Sequence, residues 1–149
     1  MVTQQEARSR AQNAMNANVS KNGSKMMGKK TVVIWLEETE AHDYPAAASY
    51  LSLLYDATKV TELITSLETA VMTNFLAKDI FRASGLSLLG VSNSHVQKDI
   101  KKVRKGIPLS PLLLARDQLA SRLIIADGYH RLCAVYTFDE DAVIPCKLV

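Results

Sequence analysis

Leu123-Ile-Ile-Ala-Asp-Gly-Tyr-His-Arg-Leu-Cys-Ala-Val-Tyr136 joins a strand pattern to a helix pattern with no room for a loop. Leu123 to Ala126 is short, apolar and β-branched, which predicts a buried strand. Asp127-Gly128 is the turn, and a helix is expected from Gly128 to Phe138. Gly128 permits a sharp backbone turn and a close approach by another group. From Leu132 to Tyr136 every side chain is apolar, so the helix is buried nearly all round. Its polar residues, His130 and Arg131, are gathered in the first turn. That turn offers unpaired N–H groups and the positive end of the helix dipole.

Arg131 is unfavourable there by roughly 0.3–1 kcal/mol, so something negative should offset it. Two readings stand. A bound phosphate accepts the backbone N–H groups and the guanidinium fork together. Alternatively, Asp127 pairs with Arg131 four residues away, or caps the helix. The first predicts that the unliganded fold loses little on Arg131→Ala. The second predicts that it loses stability and that phosphate ligands do nothing.

Working outward, Pro111 to Ala115 is a second apolar strand, Ala120 to Arg122 a turn, and Val143 to Val149 a final strand. Thr31 to Leu36 is β-branched and aromatic, predicting a strand buried on both faces. Between them the pattern is helical. Asp43-Tyr-Pro45 reads as a helix start, with Asp43 near the N-cap and Pro45 in the first turn, followed by an apolar stripe of Tyr50, Leu51, Leu53, Leu54 and Tyr55. Val60, Leu63, Ile64, Leu67 and Val71 predict a helix from about Thr58 to Thr73. Further helices are expected over Lys78–Ser84 and Ser92–Lys105, each stopped by glycine. The sum is an α+β fold, a small mixed sheet with a helical middle.

The 149 residues suit one domain, and 48% apolar content excludes a wholly disordered chain. Apolar runs are far short of the ~20 residues a membrane span needs. Two cysteines exclude a disulfide framework. These features predict a cytoplasmic protein with no membrane partner. The net charge of +3 is unevenly placed: residues 1–30 carry six basic side chains against Glu6, whereas residues 31–149 carry twelve basic and fourteen acidic. Residues 1–29 therefore read as a disordered basic tail, and residues 30–149 as the domain. The body is not basic, which argues against nucleic acid as its main ligand.

The box Ala126-Asp-Gly-Tyr-His-Arg131, with its apolar helix and the closing strand Ile144-Pro-Cys-Lys-Leu-Val149, resembles the ParB/sulfiredoxin superfamily. ParB-type domains carry Gly-x-x-Arg after a strand, sulfiredoxins Gly-Cys-His-Arg, and a related free-serine kinase Asp-Gly-His-His-Arg. The likeness is good over about residues 93–149 and loose over 31–92. It implies that Gly128, His130 and Arg131 contact nucleotide phosphates, within a nucleotide-binding set that also includes Asp127 and Tyr129, with Mg²⁺ as companion ion and phosphoryl hydrolysis or transfer as the associated chemistry. It implies a partner that is a nucleotide or another phosphorylated small molecule. Tyr129 stands where sulfiredoxin has its reactive cysteine, and a phenol cannot form the thiol intermediates of sulfinic acid reduction. That activity is rejected. No helix-turn-helix module is recognisable, which predicts a lone domain rather than a partition protein.

Other residues suggest chemistry less strongly. Lys78 and Arg82, four apart, share a helix face and with Asp79 form a second-rank site for an anion, or else a solvated, self-paired face. Glu37, Glu38, Glu40, His42 and Asp43 cluster after the first strand pattern. Glu37 continues the face of Val33 and Trp35 and is the best general base of the group, against the plainer reading of an exposed acidic loop. Lys98, Lys101, Lys102, Arg104 and Lys105 form a basic face for a weak nucleic-acid or acidic partner, with no interleaved aromatics for base stacking. His130, Cys133 and Cys146 are too scattered for zinc, so no metal ligand is assigned. The alternative to a nucleotide-binding domain is a non-enzymatic adaptor or DNA-associated interaction domain, its pocket structural or vestigial, that meets its partner through this basic face or the tail.

Overall fold

The computed structural model describes residues 31–149; the tail assigned to residues 1–29 lies outside the described residues. Residues 32–149 form one unit. In chain order it contains α1 (Asp43–Leu51), α2 (Ala57–Thr69), β1 (Thr73–Leu76), α3 (Ala77–Ser84), α4 (Ser94–Arg104), β2 (Leu112–Asp117), β3 (Arg122–Asp127), α5 (Tyr129–Phe138) and β4 (Val143–Leu148). The fold is α+β with a mixed four-stranded sheet in the order β1-β4-β2-β3. β2 runs parallel to β4 and antiparallel to β3, while β1 runs antiparallel to β4.

Side chains alternate across a strand, so β2 feeds two cores. Leu112 and Leu114 point to one face, where they meet Ile80 of α3, Leu132 and Val135 of α5, and Ile144 of β4. Leu113 and Ala115 point to the other, against Ala47 and Leu51 of α1 and Val60 and Leu67 of α2. A third cluster, Val96 and Ile100 with Cys133 and Ala134, locks α4 to α5. Burial on both faces explains why Leu112 to Ala115 is a continuous apolar run. Buried Lys147 of β4 donates from Nζ to the Tyr44 hydroxyl (3.0 Å) and the Glu68 carbonyl (3.1 Å). A cation at the C-terminal end of α2 suits the helix dipole.

Two expected elements differ. Thr31–Leu36 is not a buried strand. It makes one parallel bridge, Trp35 to Leu109, through Leu36 N–H to Leu109 O and Leu109 N–H to Ile34 O, both 2.8 Å. Val32 and Ile34 are 51% and 45% exposed. Pro108 and Pro111 flank Leu109, and prolines lack the N–H that would extend a ladder. The helix expected to reach Thr73 ends at Thr69, and Thr73–Leu76 becomes β1. Val71 is exposed, so the helical spacing there was coincidental; pairing with the free side of β4 takes over. In the stripe from Tyr50 to Tyr55 only Leu51 is buried, because α1 stops there.

No helix among the described residues is long and apolar enough to cross a membrane.

Candidate functional site at the start of α5

A β-bulge aims the site. Leu113 pairs with Asp127 and Leu114 with Ile125, which leaves Ala126 as the extra residue just before the turn. Gly128 then takes φ 105°, a left-handed conformation, and serves as N-cap of α5. A Cβ on Gly128 would lie 2.8 Å from Leu112 Cγ and 3.0 Å from Arg131 Nη2, so the backbone must stay bare here. Leu132 N–H closes the first helical bond, to Gly128 O at 2.9 Å. The amides of Tyr129, His130 and Arg131 precede it and have no acceptor within the helix.

Arg131 is only 16% exposed, and it is paired. Its Nη2 donates to Asp127 Oδ2 (3.0 Å) and to Asp43 Oδ2 (3.2 Å). Its Nε is buried and has no hydrogen-bond partner. The local ion pair read from the sequence is therefore present, but it is half of a triad. Asp43 belongs to α1, 88 residues away, and is almost wholly buried. It is the first residue of its helix, with His42 as N-cap, so its expected capping place shifts by one. Asp127 does not cap α5, since no side chain caps that helix.

Two carboxylates against one guanidinium leave a surplus negative charge. Burial pushes the Asp127 carboxyl up, Arg131 pulls it down and Asp43 pushes it up again; the net direction is upward from 3.8. A carboxyl raised on folding stabilises fully below its unfolded value and loses that contribution as pH rises through its folded value. Asp127→Asn removes this titration. The native protein should therefore lose stability relative to Asp127→Asn as pH rises from the ordinary aspartate value through the raised folded one, as read by urea unfolding. A native protein that gains on the variant over that range would mean that Arg131 outweighs burial.

Asp43 also links the triad to a second group. His42 Nε2 lies 3.3 Å from Asp43 Oδ1 and 3.1 Å from Glu40 Oε2. Ligand atoms of Glu40, His42 and Asp43 all fall within 4.8 Å of one another. The segment is tied to the approach to β2 by Glu40 N–H donating to Ser110 Oγ at 3.0 Å. Glu37, the expected general base, is exposed on the bend after Trp35; the carboxylate of this segment that meets Arg131 is Asp43.

On the α4 side, the rings of His130 and His95 stand 4.8 Å apart. Burial, then the neighbouring His95, pushes His130 below its ordinary value, which favours the neutral imidazole. Asp99 of α4 is raised by burial, opposed by Lys102, Arg131 and His130. Tyr129 donates its hydroxyl to Ser87 O, fastening the loop between α3 and α4 to this turn. Cys133 accepts from Leu89 N–H, and burial raises its thiol. Burial pushes Cys146 up to about 12. Neither thiol is poised to ionise.

The remaining expected residues lie apart. Lys78 pairs with Asp141, and Arg82 with Asp79 at 3.5 Å, all on the surface. Lys78 and Arg82 thus face different carboxylates instead of one shared anion. Lys98, Lys101, Arg104 and Lys105 are exposed along α4, whereas Lys102 is half-buried beside Asp99. The contributions of Asp43 and His95 went unforeseen. A buried aspartate at a helix start reads locally as a cap, and nothing in either segment marks its distant partner. No protein-family model, curated protein or solved structure matches the chain.

Proposed function

We propose that the domain binds a nucleotide through its phosphates at the N-terminus of α5, as a Mg²⁺ complex. The observation that carries this reading is the pairing of a bare backbone at Gly128 with a buried Arg131 whose Nε lacks an acceptor. The two carboxylate bonds both use Nη2, so the guanidinium keeps donor capacity for another oxygen. The free amides of the first turn add further donors. The likeness of the Asp127–Arg131 box to the ParB/sulfiredoxin superfamily supports the same assignment, since there the box holds nucleotide phosphates.

Charge balance favours the metal complex over a naked phosphate. An anion approaching Arg131 also meets Asp43 and Asp127. The Glu40 and Asp43 carboxylates fit Mg²⁺, which takes one or two protein carboxylates and completes its shell with phosphate and water. Mg²⁺ when bound neutralises phosphate charge. His42 holds these two carboxylates beside each other, and Asp43 holds Arg131 in place. His130, neutral near pH 7, offers a ring N–H on the opposite side.

Thermal unfolding of the full chain with a panel of nucleotides, each with and without Mg²⁺, tests this. A nucleotide at 100 times its Kd should stabilise by about 2.7 kcal/mol. The shift should need Mg²⁺ and vanish with chelator; phosphate release in the same samples reports hydrolysis. An adaptor acting through the exposed lysines of α4 gives no shift with any nucleotide, and that result defeats the proposal.

A further inference from the structure

The structure holds a cavity of about 710 Å³ that the α5 site does not use. It lies between α3 and the sheet, at the hairpin end of β2 and β3, whereas Gly128 follows the opposite end of β3. Leu123 and Gly128 are five residues apart, roughly 17 Å along a strand. The volume falls within the range that takes small molecules.

Its floor is apolar. Leu114 of β2 stands beside Leu148 of β4, and Leu123 of β3 faces Arg116 across the hairpin. Ile80 of α3 and half-exposed Phe75 of β1 form the walls. The polar groups gather at one rim. Asp79 is paired with Arg82. Asp117 accepts Ala120 N–H at 3.1 Å and stands opposite Arg122 in the ladder. Arg116 is left. Strand alternation puts it on the same face as Leu114, over the apolar floor. Its side chain makes no ion pair or hydrogen bond with any of the described residues. Only its backbone N–H is engaged, to Val149 O.

We infer that this cavity binds a small carboxylate with an extended apolar body, the body on Leu114, Leu123 and Leu148 and the carboxylate on Arg116. One unpaired cation on the apolar face suits one negative charge. A phosphate dianion would also face Asp79 and Asp117, so it is disfavoured. The assignment is independent of nucleotide binding at α5.

The test uses the full chain and 8-anilinonaphthalene-1-sulfonate, whose fluorescence rises in apolar sites. One saturable site is expected. Decanoate should displace the dye at roughly tenfold lower concentration than decyltrimethylammonium, the worth of one charge-assisted hydrogen bond at a partly exposed site. Arg116→Gln should abolish that preference. Ala83→Trp, from an exposed position of α3 that lines the cavity, should remove dye binding with the melting temperature unchanged. Equal displacement by both competitors, or a preference that survives Arg116→Gln, overturns the inference. Displacement of the dye by Mg²⁺–nucleotide overturns it too, because the sites would then be one. If Ala83→Trp does not fold, the charge preference and its loss in Arg116→Gln decide alone.

Discussion

Arg131→Ala lowers the stability of the unliganded protein by about 3 kcal/mol near neutral pH, the low end of the cost of breaking a buried ion pair. The reason is what remains. Asp43 and Asp127, 3% and 18% exposed, are left facing each other with no cation between them. Part of the loss should disappear in acid, as Asp127 takes up its proton. Arg131→Lys should recover some stability but not all, since an ammonium cannot reproduce the planar fork between α1 and β3. Asp43→Asn combined with Arg131→Ala should cost less than the two single changes added together. Urea unfolding measures all of these. A loss below about 1 kcal/mol would put the triad in the class of surface ion pairs and remove it as the support of the site.

Gly128→Ala should cost about 3–4 kcal/mol, from two separable causes. A left-handed backbone costs an L-residue roughly 1–2 kcal/mol. At Gly128 the new methyl also meets Leu112 Cγ at 2.8 Å and Arg131 Nη2 at 3.0 Å. Leu112 is fully buried in the core, so it cannot withdraw without overpacking its neighbours, a further 1–3 kcal/mol, roughly. Gly85 isolates the first cause. It ends α3 at φ 66°, and nothing lies within 4 Å of its missing Cβ. Gly85→Ala should therefore cost only about 1 kcal/mol. Paired denaturation curves report the difference. Equal losses in the two variants would show that Gly128 is retained for its dihedral angles alone, not to keep the backbone bare.

Much of this architecture was legible in the residues because local pattern and tertiary outcome agree. The strand, Asp-Gly turn and apolar helix of residues 123–138 were read from short-range signals, and the structure reproduces them within a residue or so. The glycine stops at Gly85 and Gly106 were equally local. Failures came where a distant element decides. Thr73–Leu76 is a strand because β4 needs an antiparallel neighbour there, which no window around Thr73 reveals. Thr31–Leu36 has strand chemistry, but its partner Leu109 sits between prolines, so the ladder stops after one bridge. The α5 turn was visible as a gathering of polar residues on a buried helix. Its long-range partner Asp43 was not, because an ion pair spanning 88 residues leaves no periodic trace. With Asp43 present, the phosphate reading's expectation that the unliganded fold loses little on Arg131→Ala gives way to the stability cost argued above.

The most direct measurement of the central claim is a ¹H–¹⁵N titration of the full chain with Mg²⁺–nucleotide, followed at the backbone amides of the α5 turn. Tyr129, His130 and Arg131 should show the largest saturable shifts, because their N–H groups precede the first helical bond and remain as donors for the proposed phosphates. Those shifts should weaken in Arg131→Lys. Saturable shifts confined to the basic face of α4 or to the Arg116 cavity, or no shifts at all, would contradict nucleotide binding at this helix start.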